Sequence, residues 1–188
     1  MVLSKLAQEV SDGLVATVKG ADDVVSALRS ALKNQVVGTL KDVSDITTSG
    51  LDTLSDLAKG GISAASQVGA SLTEAAKNVV SETLEGVSEL GGNAVSATQR
   101  ATQSVVSGAA DLGGDIGEIA VSAVQGALET AGKLGLDTAE TAKEAVLGVV
   151  KGADEIGGEV GKTVRQALLS AASLPRDVVE RVIKGSEA

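Results

Sequence analysis

The sequence predicts an all-α protein made of a very long amphipathic helix or helices, and three observations predict it. An eleven-residue apolar repeat runs from Leu3 almost to the C-terminus with no insertion. A twenty-two-residue period is superposed on it from Gly69 onward. The chain has no Phe, Tyr or Trp, so its core must come from many small contacts among Val, Leu, Ile and Ala. Aromatic side chains supply much of the buried area of ordinary cores, and a core without them suits helix-on-helix packing best.

Eleven residues fill three helical turns at about 3.67 residues per turn, so each position of the repeat stays on one side of a helix. With the positions lettered a to k from Leu3, column h reads Val10, Ala21, Leu32, Val43, Leu54, Ala65, Ala76, Val87, Thr98, Ala109, Ala120, Ala131, Ala142, Ala153 and Val164. Column f is polar from Gln8 to Lys162, and column j is polar from Asp12 to Asp177. Columns a, d, e, h and k make an apolar stripe of roughly 130°, with f, j and c opposite. The segment Val18-Lys-Gly-Ala-Asp-Asp-Val-Val returns as Val150-Lys-Gly-Ala-Asp-Glu-Ile-Gly. A loop ordinarily breaks such a register. The simplest expectation over residues 1–172 is therefore one or a few long helices in a coiled coil or bundle. The supercoil would be straight to slightly right-handed, because 3.67 exceeds 3.6. One continuous helix would reach roughly 280 Å. Hairpins are the alternative, provided that their loops conserve the phase.

The longer period lies in columns a and k. Column a alternates Gly69, Val80, Gly91, Thr102, Gly113, Val124, Gly135, Val146, Gly157 and Leu168. Column k places Leu90, Leu112, Leu134 and Ile156 just before the glycines. A glycine inside a helix costs about 0.5–1 kcal/mol relative to Ala. Regular glycines on an apolar side predict the close approach of another backbone, as small residues allow at tight helix interfaces. Drift in a low-complexity Ala/Gly/Ser/Val sequence is the alternative. The expected self-association face combines Gly69, Val80, Gly91, Gly113, Val124, Gly135, Val146 and Gly157 with Leu90, Leu112, Leu134 and Ile156. Column h adds Ala109, Ala120, Ala131, Ala142 and Ala153 to it.

Weak points are few. Thr47-Thr48-Ser49-Gly50 and Gly60-Gly61 are poor helix formers. Ser173-Leu174-Pro175 is the clearest boundary, because Pro suits a first helical turn and no interior one. Residues 173–188 are expected to form a short helix from Pro175 to Lys184, stopped by Gly185, and a tail.

The chemistry is bounded by what the chain lacks. Without His or Cys there is no imidazole base, no thiolate and no zinc site of the usual kind. Gly157-Gly-Glu-Val-Gly161-Lys162-Thr163 looks like a phosphate loop, but Ile156 stands where that motif needs Gly, and no strand precedes it. Gly113-Gly114-Asp115-Ile116-Gly117 fails the dinucleotide fingerprint in the same way. Successive acids of one column lie roughly 16 Å apart on a helix and cannot share a metal. No catalytic, cofactor or metal residue is expected, and no enzyme. A net charge of −9 opposes nucleic acid as a partner. No small-molecule substrate is expected. There is no secretory signal and no long apolar run, so a cytoplasmic location is expected, with a peripheral place on a membrane or granule surface as the alternative.

The periodicity resembles the hendecad-repeat amphipathic-helix proteins: hendecad coiled coils, late-embryogenesis-abundant proteins, synucleins and exchangeable apolipoproteins. Ala139-Glu-Thr-Ala-Lys-Glu-Ala-Val146 is similar to the Lys-Thr-Lys-Glu-Gly-Val units of synucleins. The resemblance implies either helix self-assembly or reversible lipid binding. The chain departs from the desiccation proteins in its true apolar face, and from the lipid binders in its acidity.

The leading expectation is a non-enzymatic structural protein whose partner is itself, assembled into a bundle, fibre or tube through the small-residue face. The first alternative is a coat on a membrane, lipid droplet or storage granule, with the helix lying in the interface. The second is a desiccation or stress protectant.

Overall fold

The computed structural model describes residues 4–20, 23–41 and 48–186. These residues form helices α1 (Lys5–Val18), α2 (Val24–Lys41), α3 (Thr48–Gln67), α4 (Leu72–Glu89), α5 (Ala94–Ala110), α6 (Ile116–Leu134), α7 (Thr138–Ile156), α8 (Gly158–Ser170) and α9 (Arg176–Ser186). No strand occurs among the described residues.

The helix boundaries from α3 to α7 follow a short motif. Gly69, Gly91, Gly113 and Gly135 each end a helix with φ between 68° and 75°. That left-handed conformation suits glycine, which lacks the Cβ that would clash. At three of the turns the next residue closes the helix end: the N–H groups of Ala70, Gly92 and Leu136 donate to the carbonyls of Ala65, Val87 and Ala131, each at 2.9 Å. Two residues after each glycine stands an N-cap: Ser71, Asn93, Asp115 or Asp137. Their side chains accept from the backbone N–H of Glu74, Ser96, Glu118 and Glu140. Each cap contributes about 1 kcal/mol. Glu at the third helical position adds a favourable interaction with the helix dipole in α4, α6 and α7.

Helix and turn together thus occupy twenty-two residues, two hendecads, and the loops conserve the phase of the repeat. The chain does not run as one rod. The longest helix among the described residues, α3, has 20 residues. The reason is local: a left-handed glycine followed two residues later by a capping side chain stops one helix and starts the next without loss of register. Of the weak segment 47–50, Thr47 lies outside the described residues, and α3 begins at Thr48. Gly60 and Gly61 sit buried inside α3. Pro175 immediately precedes α9, and its carbonyl accepts from Val178 and Val179 at 3.1 Å.

Helices alternate between two layers, α1, α3, α5, α7 and α9 in one and α2, α4, α6 and α8 in the other. Each packs on its neighbour in sequence across the layers and on its second neighbour within a layer. The in-layer neighbours from α1 to α5 run parallel, because paired residue numbers rise together: Ser4 with Asp56 and Ser11 with Ser63, then Asp52 with Arg100 and Ser55 with Ser104. The structural repeat is therefore a helical hairpin of forty-four residues. One core runs through the stack, from Val10 and Leu32 through Leu57, Val80, Val105 and Val124 to Val146 and Leu168.

An interior helix has neighbours on several sides, so burial extends beyond the expected stripe. Column c, assigned to the solvent side on the wheel, holds Gly60, Gly126 and Gly148, all buried. A Cβ on Gly126 would lie 2.5 Å from the Lys77 carbonyl oxygen in α4. A Cβ on Gly148 would strike the Thr102 hydroxyl and the Gln99 carbonyl in α5. These glycines set the in-layer spacing by bringing backbones together.

The two kinds of helical glycine separate in one experiment on α6. A methyl added at Gly132 would meet nothing within 4 Å, whereas Gly126 abuts backbone. Gly132→Ala is expected to raise stability by about 0.5–1 kcal/mol through propensity alone. Gly126→Ala is expected to lower it by about 2 kcal/mol, since overpacking against backbone forces a shift. Urea unfolding followed by circular dichroism measures both, and equal signs for the two variants would contradict the packing described.

Candidate interaction surfaces

The expected self-association face falls into three environments. Val80, Val124, Val146, Ala109, Ala120, Ala131, Ala142 and Ala153 are each 0% exposed, packed between helices of the same chain. Leu90 and Leu134 are half-buried at the ends of α4 and α6. Leu112 and Ile156 are the more open members, each 37% exposed.

Gly69, Gly91, Gly113, Gly135 and Gly157 lie at turns, and a Cβ on any of them would meet nothing within 4 Å. Their regular spacing is that of helix ends. Among the described residues, no neighbouring backbone approaches these positions, so their spacing serves the turns within the chain. The close contacts fall instead on Gly60 against α1, Gly86 against α2, Gly126 against α4, and Gly148 and Gly152 against α5. Sequence reading missed these positions, though a signal exists. Column c splits at twenty-two residues into cap residues (Ser71, Asn93, Asp115, Asp137) and mostly small contact residues (Gly60, Ser104, Gly126, Gly148), with Glu82 between them.

Polar side chains make a ladder along each layer. Lys77 Nζ reaches Glu129 Oε1 at 2.6 Å, and Gln103 Nε2 donates to Glu155 Oε1 at 2.6 Å. Arg29 Nε donates to Glu82 Oε1 at 2.8 Å, and the Glu82 side chain is only 5% exposed. Lys33 sits near Glu85 and Glu89, and its hydrogen bond with Glu89 holds the ammonium above the ordinary Lys value. The exposed pairs contribute about 0–1 kcal/mol each. Partners 48 to 53 residues apart, somewhat more than one forty-four-residue repeat, fix the stagger between parallel neighbours.

The junction of α7 and α8 breaks the pattern. Glu159 stands where a cap residue is due, and α8 begins right after Gly157 with no side-chain cap. The bend is held by Arg165, whose Nη1 and Nη2 donate to Asp154 Oδ1 and Oδ2 at 2.6 and 2.7 Å. Gly161 lies under this pair, where a Cβ would strike the Asp154 carboxylate. The guanidinium holds the Asp154 carboxyl below the usual carboxylate value.

Beyond the junction the stack ends in two open features. Leu169 on α8 is 38% exposed. Between α7 and α9 lies a groove of about 560 Å³ whose walls include Ala139, Lys143, Leu147, Val178, Arg181 and Val182. Among the described residues there is no cluster of three metal-binding side chains. No helix among them is long and apolar enough to cross a membrane.

No protein-family model and no curated protein matches the sequence. Among solved structures, the chain is similar to a de novo designed helical repeat protein, DHR7. The two share 17% identity over 96% of this chain and 95% of that one, with a TM-score of 0.52. The likeness is one of fold: an all-helical repeat architecture.

The Asp154–Arg165 pair gives a pH dependence with a definite sign. A folded-state value below the unfolded value of about 3.9 contributes stability that is present above about pH 4. It is lost as pH falls through the folded value. Asp154→Asn is expected to be less stable than the parent at pH 7 by up to about 1 kcal/mol, discounted for the exposed carboxylate. The difference should shrink as pH falls below about 4. Thermal melts at pH 7 and along a series of lower pH values check this, and a gap that widens as pH falls would sink it.

Proposed function

We propose that the chain is a non-enzymatic structural protein that associates with itself through the C-terminal end of its stack. What supports this reading is one register position. Ser81, Gln125 and Leu169 are equivalent, forty-four residues apart, in α4, α6 and α8. Ser81 is buried and donates to the Gly126 carbonyl at 3.3 Å. Gln125 donates to Ser173 at 2.6 Å. Leu169 carries an apolar side chain at the same place, with no later helix of its own layer among the described residues.

Repeat proteins keep their ends soluble with polar outer faces. Among the described residues at the N-terminal end, Asp12 on α1, Lys19 just after it, and Asn34 and Lys41 on α2 are polar and exposed, beside the small Ala16 and Gly38. The C-terminal end departs from this rule at Leu169. A second copy meeting this end would cover Leu169 and continue the layer. Contact between like ends closes as a two-fold dimer, while contact between unlike ends grows a filament. The mostly polar N-terminal end favours the closed form.

This reading differs from assembly through column a and h residues such as Val80, Val124 and Ala120, which pack between helices of the same chain. It also needs no catalytic group, metal or cofactor, and the acidity opposes nucleic acid. Sedimentation equilibrium is the test. The parent chain is expected to be dimeric at tens of micromolar, and Leu169→Asp monomeric with unchanged helicity. A monomeric parent at that concentration, or a dimer indifferent to the substitution, overturns the reading.

A further inference from the structure

We propose that the groove between α7 and α9 binds a single-chain anionic amphiphile, an acyl chain ending in a carboxylate. The groove has a structural cause. Along α5 and α7 the in-layer contact is close because Gly148 and Gly152 admit the neighbouring backbone. In α9 the only glycine is Gly185, which meets nothing within 4 Å. Val178 and Val182 line the groove from α9 instead. Below them Val179 and Ile183 close the contact with the core. The space left above is a groove beside the line where α7 and α9 meet.

Its size and lining fit a small apolar ligand. A volume of about 560 Å³ falls in the roughly 300–1,000 Å³ range of ligand sites. Leu147, Val178, Val182 and Ala139 supply the apolar surface. Lys143 and Arg181 flank it, one from each helix, against the single acid Glu140 in the lining. Neither cation has an ion-pair partner among the described residues, and they face the same apolar groove from its two helices. In a chain of net charge −9, two unpaired cations on one apolar slot select a negative head group. A guanidinium accepts a carboxylate in two parallel hydrogen bonds. The inference is independent of the self-association reading, because Leu169 does not line the groove.

The test is calorimetric titration of the full chain with decanoate, below its micellar concentration, beside decanol and decyltrimethylammonium. Decanoate is expected to bind one to one, at least tenfold tighter than the cationic analogue. Arg181→Glu and Lys143→Glu are each expected to weaken decanoate at least tenfold while leaving helicity and decanol affinity unchanged. Ala139→Leu, which fills the slot, should weaken decanoate and decanol alike. Equal binding of the two charged analogues overturns the proposal, and so does decanoate binding indifferent to all three variants. Absence of binding at millimolar decanoate also overturns it. Leu169→Asp is expected to retain decanoate binding, so failure of the dimer and failure of the groove are read separately. A parent dimer dissociated by Arg181→Glu would assign the groove to a second copy and also end the proposal.

Discussion

The constraint on which this molecule rests is a turn of constant length. A helix that ends in a left-handed glycine and restarts at a capping side chain two residues later returns the chain to the same point of its apolar repeat. Twenty-two residues are two hendecads, so every helix from α4 to α7 starts at the same rotation relative to its caps. The same columns then point inward in each helix, and Val80, Val124 and Val146 take equivalent buried places. A turn one residue longer would rotate the next helix by about 100° and bring polar columns into the core. The turn glycines are thus needed for conformation, and the apolar residues gain their meaning from the turns.

Close backbone packing comes second, and it follows from composition. With no aromatic side chain, no helix can fill a wide gap to its neighbour. The chain brings backbones together through Gly60, Gly86, Gly126, Gly148 and Gly152, and packs Ala and Val around them. Helical glycines cost propensity, yet here their removal would cost more, because a methyl at Gly126 or Gly152 meets a carbonyl oxygen. Thr102 shows how finely the spacing is set: its hydroxyl donates to Thr98 within α5 and also reaches the Ala145 carbonyl of α7 at 3.2 Å.

The inside of the helices is legible in the sequence, and the partner of that inside is not. Amphipathic periodicity states which side of a helix avoids water. It is silent on whether the covering helix belongs to the same chain. Column h reads as apolar contact surface, and Ala109 to Ala153 are indeed fully buried, but by neighbours in the chain itself. The glycines of column a are regular enough to demand a cause, and two physical causes for a glycine compete. Their neighbours decide between them: a capping residue two places on, as at Asp115 or Asp137, marks a turn. The first part of the chain hides this motif, since α1 and α2 open at Ser4 and near Asp23, off the later register. The groove has no sequence signature, because it arises from the misfit of α9.

That misfit traces back to one residue type. Where Glu159 stands in place of a capping Ser, Asn or Asp, the turn between α7 and α8 shrinks to Gly157, and α8 starts two residues earlier than the forty-four-residue repeat requires. Asp154 and Arg165 brace the sharper bend. Pro175 then begins α9 six residues ahead of the place where a regular repeat would start it. An early, short helix cannot lie along α7 as α7 lies along α5. Its contact covers only part of the available face, and the groove lies where that contact stops. The exposed Leu169 lies on α8, the helix that begins at the interruption. Leu169 and the groove lie where the repeat breaks, whereas in the interior the regular register leaves the apolar faces already covered.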